Sequence, residues 1–477
     1  MPTLALFAFE RETIRVAPDG DVAALRQRAR ADGLPADGRD DAGRLALTHA
    51  EAEVLERVNA TRSDFCSRTL KGIALSKHCG LVRLGAGGAG RGVVLEVLPK
   101  IWDGHGGAAE ADAAERAEGA GRARRALLRM LALASGLSIA ELDMAPQAAA
   151  RATLLDLFIR SYLREALKVA KGGLLTRYVE SEDDLPVLRG RMLLVESERL
   201  AATRPGLVRC SHDELTPDNA YNQALLAAIE RCRPHVRQAA TERLWVEARA
   251  FFGGVSLVRT DAKRVAGLKR GRETARYEEA LRWAELLLGL LSPSLAAGAS
   301  EAPALLFNME PIFESWVARH ERRRAPEGIE VRLKGSPRYL STVAHRRPAA
   351  AAGGDGAGGA GSAPQKRAAG RVKTAFRLMP DVLLWPDGVD REEGAPAAIV
   401  DAKWKSLDPS KKDWGVDEKD AHQLVAYLTR YRCLAARLAY PTLSAAGLPS
   451  QGPPSFEIDL PGGVVATIDV ELVPIDA

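Results

Sequence analysis

Cysteine is scarce in this 477-residue chain: five residues, at 66, 79, 210, 232 and 433, with no CxxC pair among them. That spacing offers neither a disulfide framework nor a zinc site, and it suits a reducing, cytoplasmic setting. Long apolar runs are missing too. No stretch approaches the roughly 18 apolar residues a membrane helix needs, so no membrane partner is expected. The opening MPTLALFAFERE has no cationic segment before its short apolar run, which Glu10 interrupts, so it does not read as a signal peptide. A complete GxxxxGK[ST] phosphate loop is absent, which excludes a P-loop NTPase. Nor does one sign of charge dominate: 67 basic against 62 acidic residues leave a net +5, which permits nucleic-acid contact without requiring it.

What is present is ordinary for a soluble globular protein, with 46% hydrophobic and 27% charged residues. The length suggests two or three domains. Residues 1–104 mix β-branched runs (ETIRVA, VVLEVLPKIW) with helical ones (LTHAEAEVLERVNA), the pattern of an α+β domain. Residues 105–122, HGGAAEADAAERAEGAGR, lack large apolar residues and read as a linker. Residues 123–298 follow a helical period. Leu155, Phe158, Tyr162, Leu163 and Leu167 share a stripe there, and Gly172–Gly173 supply the stop. From 299 to 477 the pattern alternates helix, strands and helix, broken at 348–371 by a Gly/Ala-rich insertion that should be disordered. The GAGGAG at 85–90 matches a dinucleotide-binding fingerprint, but the strand-like VVLEVLPKI follows where a helix should start. It reads as a hairpin loop.

One strand-like segment carries charges that a buried strand should not. In PAAIVDAKWKSL, Asp401 and Lys403 stand two apart and so on one face. Such groups need partners or a task. Upstream, FRLMPDVLLWPDG places Asp381 at the head of a second strand-like run that ends in a Pro386–Asp387–Gly388 turn. Neighbouring strands would bring Asp381 beside Asp401 and Lys403. Two carboxylates can hold Mg²⁺, and a lysine beside them can orient or activate water against a phosphodiester. Glu314, beside the apolar stripe Phe313, Trp316, Val317 and His320 of another helix, is a candidate third acidic ligand. Gln423 and Tyr427, four apart on a later helix, could contact a phosphate or brace the lysine; Asp417 or Asp420 could cap that helix. RHERRR (319–324) could track a DNA backbone, and the mixed-charge TRYVESEDDLPVLRGRM (176–192) is either a contact arm or a solvated connector.

The order Glu, Pro-Asp, Asp-x-Lys, Gln-x-x-x-Tyr resembles the PD-(D/E)xK nuclease superfamily in its RecB-like branch. LEVLPKI, LLTRYVESEDDLPVLRGRM, HDELTPDNAYNQALLAAIE, LLFNMEPIFESWVARH, MPDVLLW, IVDAKWKSL and HQLVAYLTRY resemble, in order, the McrC family, the nuclease subunit of McrBC modification-dependent restriction systems. The first 90 residues and the insertion depart from it. The resemblance implies an α/β nuclease domain with a mixed sheet, preceded by an α+β domain and a helical middle region. It also implies a Mg²⁺-dependent DNA endonuclease in an anti-phage system, docked on an AAA+ GTPase hexamer of the McrB type that selects DNA carrying modified cytosine. Asp381 and Asp401, with Glu314, would hold metal; Lys403 would act on water; Gln423 and Tyr427 would support the site. The rival expectations are a non-cutting adaptor of an NTPase ring and a stand-alone RecB-like exonuclease.

Overall fold

The computed structural model describes residues 4–31, 38–40, 42–87, 91–100, 113–135, 152–291, 304–335, 337–343, 373–392, 394–443, 452–460 and 462–475. The 348–371 insertion and the 105–112 part of the expected linker lie outside these residues. The rest of that linker is helical, since Ala113–Ser135 is one helix. Its alanines are good helix formers, so the absence of large apolar residues did not prevent a helix.

The described residues form two compact units that meet in sequence at Met309/Glu310. In the first, Leu4–Phe9 runs parallel to Arg91–Leu98, which pairs antiparallel with His78–Gly87. The glycine-rich segment therefore joins two paired strands, as the sequence predicts. His78–Gly87 in turn pairs with Ala304–Asn308. That strand, expected to open the third domain, belongs to the sheet of the first unit. Gly80 makes the pairing possible: at φ 141° a Cβ there would lie 2.0 Å from the Leu305 carbonyl oxygen. Helix His49–Thr61, with a Thr48/Glu51 capping box, contributes Leu55 and Val58 to the core with Leu6, Ile14, Phe65 and Leu95.

The middle region is helical with an addition. Helix Leu154–Lys171 starts at a Thr153/Asp156 capping box and buries the whole predicted stripe, with Phe158 against Trp283 at 5.4 Å between ring centroids. Between helices lies a three-stranded antiparallel sheet of Arg177–Leu185, Val208–Thr216 and Arg191–Met192. Its residues are largely exposed, so no alternation marked it. The acidic patch is engaged within the sheet: Arg209 pairs with Asp184 at 3.0 Å, and Ser211 Oγ donates to Glu180 at 2.5 Å.

The second unit is built on a six-stranded mixed sheet, ordered Ile329–Leu333, Val382–Pro386, Ala398–Ala402, Ala435–Thr442, Val464–Pro474, Ser455–Leu460. The first three pair antiparallel, the next two join in parallel, and the last is antiparallel. Helix Glu418–Tyr431 is the crossover between the parallel strands Ala398–Ala402 and Ala435–Thr442. Asp417 is its N-cap, accepting from the Lys419 amide, and Arg432 closes it in the left-handed region. Leu424, Leu428 and Tyr431 pack with Leu383, Trp385, Ile399, Leu438 and Ile468 on one sheet face. Since side chains alternate along a strand, Asp381 shares that face with Leu383, and Asp401 shares it with Ile399.

Helix Met309–Arg324 buries Phe313 and Val317 and sets Phe313 against Trp404 at 5.4 Å. In its RHERRR end, Glu321 is buried and bonded by Arg437 at 2.8 Å, and Arg324 pairs with Glu471. Arg319, Arg322 and Arg323 are exposed. Glu321 and Arg324 of the predicted basic run are thus committed to holding the helix on the sheet. Among the described residues no helix is long and apolar enough to cross a membrane.

Candidate active site

The antiparallel register Val382↔Val400 sets Asp381 opposite Asp401, one residue past the last paired positions. Asp381 Oδ2 accepts from the Ala402 amide at 2.9 Å, and its own carbonyl accepts from Lys334 N at 2.7 Å. Asp401 is 1% exposed, and Lys403 Nζ lies 2.6 Å from its Oδ2, an ion pair without a well-aligned hydrogen bond to that oxygen. Lys403 Nζ donates to Gln423 Oε1 at 2.8 Å. Gln423 Nε2 donates to the Tyr427 hydroxyl at 2.6 Å, and that hydroxyl reaches the Met379 carbonyl at 3.4 Å. Five of the six predicted residues therefore form one connected set. The sixth, Glu314, pairs with Lys334 at 2.8 Å instead.

The electrostatics are those of crowded carboxylates in a dry place. Burial, then the charges of Asp401 and Glu314, push Asp381 up to about 8, against the opposing pull of the Ala402 amide and Lys403. Asp401 is raised as well, chiefly by burial with Asp420 adding to it, although Lys403 opposes the rise. For Lys403 burial alone would favour the neutral amine, but Asp401, Asp420 and Asp381 outweigh it and hold the ammonium above its usual range. Tyr427 is pushed up to about 12 by burial, Asp401 and Asp381, so it stays a neutral phenol.

The fit to a divalent cation rests on this crowding. Asp381 and Asp401 supply oxygen donors, the type Mg²⁺ takes, and two crowded acids that resist joint ionisation would be relieved by a cation's charge. Among the described residues no three acidic, histidine or cysteine side chains gather closely enough to form a ligand cluster. Glu314 is paired with Lys334, and its charge still acts on Asp381. The pair of aspartates fits a cation directly.

Sequence reading missed Asp420, Lys405, Lys334 and Tyr440. Asp420 is buried and lies 3.4 Å from Lys403 Nζ and 2.8 Å from Lys405 Nζ. At a helix start it read as a capping candidate, yet its place three residues before Gln423 puts both on one helix face. Tyr440 sits on the neighbouring strand, on the same sheet face as Leu438, and is buried.

Comparison with known proteins bears on the whole chain. The family model for the McrBC 5-methylcytosine restriction system component matches residues 76–441. No curated protein matches the sequence. A chain of the refined half-complex from the tetradecameric assembly of Thermococcus gammatolerans McrB AAA+ hexamers with bound McrC superposes with a TM-score of 0.59. It is 16% identical, covering 98% of this chain and 94% of that one. The cryo-EM structure of the Thermococcus gammatolerans McrBC complex gives a TM-score of 0.42 at 16% identity, covering 68% and 88%. At such identity the first likeness speaks to fold alone.

Proposed function

Because this chain belongs to the McrBC 5-methylcytosine restriction system component family, we propose that it is the DNA-cleaving subunit of such a system. The carrying observation is the juxtaposition of Asp381, Asp401 and Lys403 at the ends of adjacent strands, with Lys403 held by Gln423. We read the second unit as a PD-(D/E)xK nuclease domain, since its mixed sheet places that motif's residues together. A Mg²⁺ ion held by Asp381 and Asp401 would supply Lewis acidity toward a phosphodiester and acidify a bound water. The chain's own groups do the rest. Asp401 holds the Lys403 side chain, which orients or activates water against the phosphate. Gln423 accepts from Lys403 on the helix side, and Tyr427 in turn accepts from Gln423. Glu314, tied to Lys334, adds negative charge behind Asp381.

Family membership and fold likeness support a reading of the partner. The Thermococcus gammatolerans assembly is described as McrB AAA+ hexamers with bound McrC, and this chain shares that fold over nearly its whole length. We infer docking on a McrB-like hexamer, stimulation of its GTP turnover, and choice of modified DNA by that partner. The test is reconstitution with such a partner, GTP, Mg²⁺ and DNA carrying modified cytosine. Double-strand cleavage that stops on chelation is expected. Stimulated turnover with no cleavage of any modified substrate would make the chain an adaptor. Digestion from DNA ends without a partner would make it an exonuclease.

A further inference from the structure

Four charged side chains alternate in sign along a path across the sheet end: Lys405, Asp420, Lys403 and Asp401. The separations are 2.8, 3.4 and 2.6 Å. Lys403 thus stands between two buried carboxylates, one on the strand beside Asp381 and one on the crossover helix. Only Asp401 has a place in the cation-binding pair. Any cation there must compete with an ammonium already seated on Asp401 Oδ2.

We propose that Asp420 is a positioning residue: it shares the Lys403 ammonium with Asp401 and retains it, together with Gln423, when Asp401 turns to a divalent cation. This rests on the nuclease reading of the site. The geometry suits the task. Lys403 Nζ already lies within ion-pair range of Asp420 while donating to Gln423, three residues further along the same helix. A small movement exchanges one carboxylate for the other without leaving the largely enclosed ammonium unpaired, a state that would be costly. Lys405 neutralises the far oxygen of Asp420, so the acid is paired before and after the exchange. Tyr440 lines the same sheet face, and its buried hydroxyl has no hydrogen-bond partner among the described residues.

The experiment is calorimetric titration of the full chain with MgCl₂ without DNA, beside the Mg²⁺-induced rise in melting temperature and cleavage with the motor partner. Asp420→Asn keeps the shape and removes the charge. Its cation affinity and cleavage kcat should each fall about tenfold or more, the usual scale for a group that orients a ligand set from behind. KM for DNA should hold. Asp417→Asn is the control, because it removes from the same helix start one charge whose partner is Lys405 at 3.6 Å and not Lys403, while Lys405 keeps its closer bond to Asp420. It should stay within about twofold of wild type on both readouts, since Asn caps as Asp does.

A purely structural role would lower the cation-free melting temperature of Asp420→Asn and leave the Mg²⁺-induced increment intact, which overturns the proposal. An equal effect of Asp417→Asn overturns it too, because field strength and not contact would then be the cause. Should Asp420→Asn fail to fold, Asp420→Glu carries the test: its longer side chain keeps the charge and misplaces it, so affinity should fall severalfold; unchanged affinity counts against the proposal. Asp401→Ala separates the premises. If it binds Mg²⁺ and cuts as wild type, the reading of the site falls; if it does neither while Asp420→Asn is unaffected, only the role of Asp420 falls.

Discussion

Asp381 is the residue where burial and charge disagree most usefully. Its carboxyl is pushed from an ordinary 3.8 to about 8 by burial and by the acids around it. Between those two values the folded chain keeps a proton that the unfolded chain has released. Stability without cation should therefore fall as pH rises through that window. Melting temperatures across it, in chelator, should drop more steeply for wild type than for Asp381→Asn; parallel curves would show that Asp381 ionises normally. Cation binding must displace that proton, so titrations at pH 7 should show proton uptake by the buffer that Asp381→Asn lacks. At this scale much was legible. Asp401 and Lys403 announced themselves as charges in a strand, and a turn signal after Asp381 gave the pairing. Asp420 did not, because an acid at a helix start has a common local use and its partner lies 17 residues away in sequence.

Among the elements, helix Met309–Arg324 and strands Ala435–Thr442 and Val464–Pro474 are joined by one ion network. Arg437 bonds Glu321 at 2.8 Å and Glu471 at 3.1 Å, while His320 and Arg324 close on Glu471 from the helix. Burial alone would raise Glu471, but His320, Arg437 and Arg324 bring it down to about 2. Its contribution to stability should be complete above its ordinary 4.5 and lost as pH falls toward 2. Arg437→Ala strands the buried Glu321 and should cost about 3–5 kcal/mol, read from urea unfolding. A loss within about 0.5 kcal/mol, usual for surface sites, would show that the network is solvated. The sequence hid this, since RHERRR looks like a uniform basic run until Glu321 turns inward. It hid the sheet at 177–216 for a different reason: Arg177–Leu185 buries no residue and Val208–Thr216 buries three in a row, so neither displays an apolar alternation. Ala304–Asn308 was legible as a segment but not in its pairing, because its neighbour His78–Gly87 lies more than 200 residues earlier.

On the scale of the whole molecule, the proposed chemistry is confined to the second unit, and the first contributes none of the six candidate residues. A chain built this way should lose cutting without losing its effect on a motor. Asp381→Ala/Asp401→Ala, mixed with a McrB-like hexamer, should leave no cleaved DNA yet raise GTP turnover to within about twofold of wild type. That margin is the sort left by mutations with no contact at the measured step. A fall in turnover to that of the hexamer alone would mean that the two units are coupled through the nuclease site.

The crossover through helix Glu418–Tyr431 has a consequence for how this site tolerates genetic change. Asp401, Lys403, Lys405, Asp420, Gln423 and Tyr427 arrive on one uninterrupted stretch of chain, and Asp381 joins them across a single rung of the sheet. A codon lost from the connection between Pro386 and Ala398 shortens a link that carries none of the candidate site residues. A codon lost between Ala398 and Asp401 turns each residue on one side of the gap to the opposite face, so Asp401 and Lys403 could keep their places only by turning Ile399 or its neighbours out of the core. In a library of single-codon deletions, active clones should fill the first interval and be absent from the second.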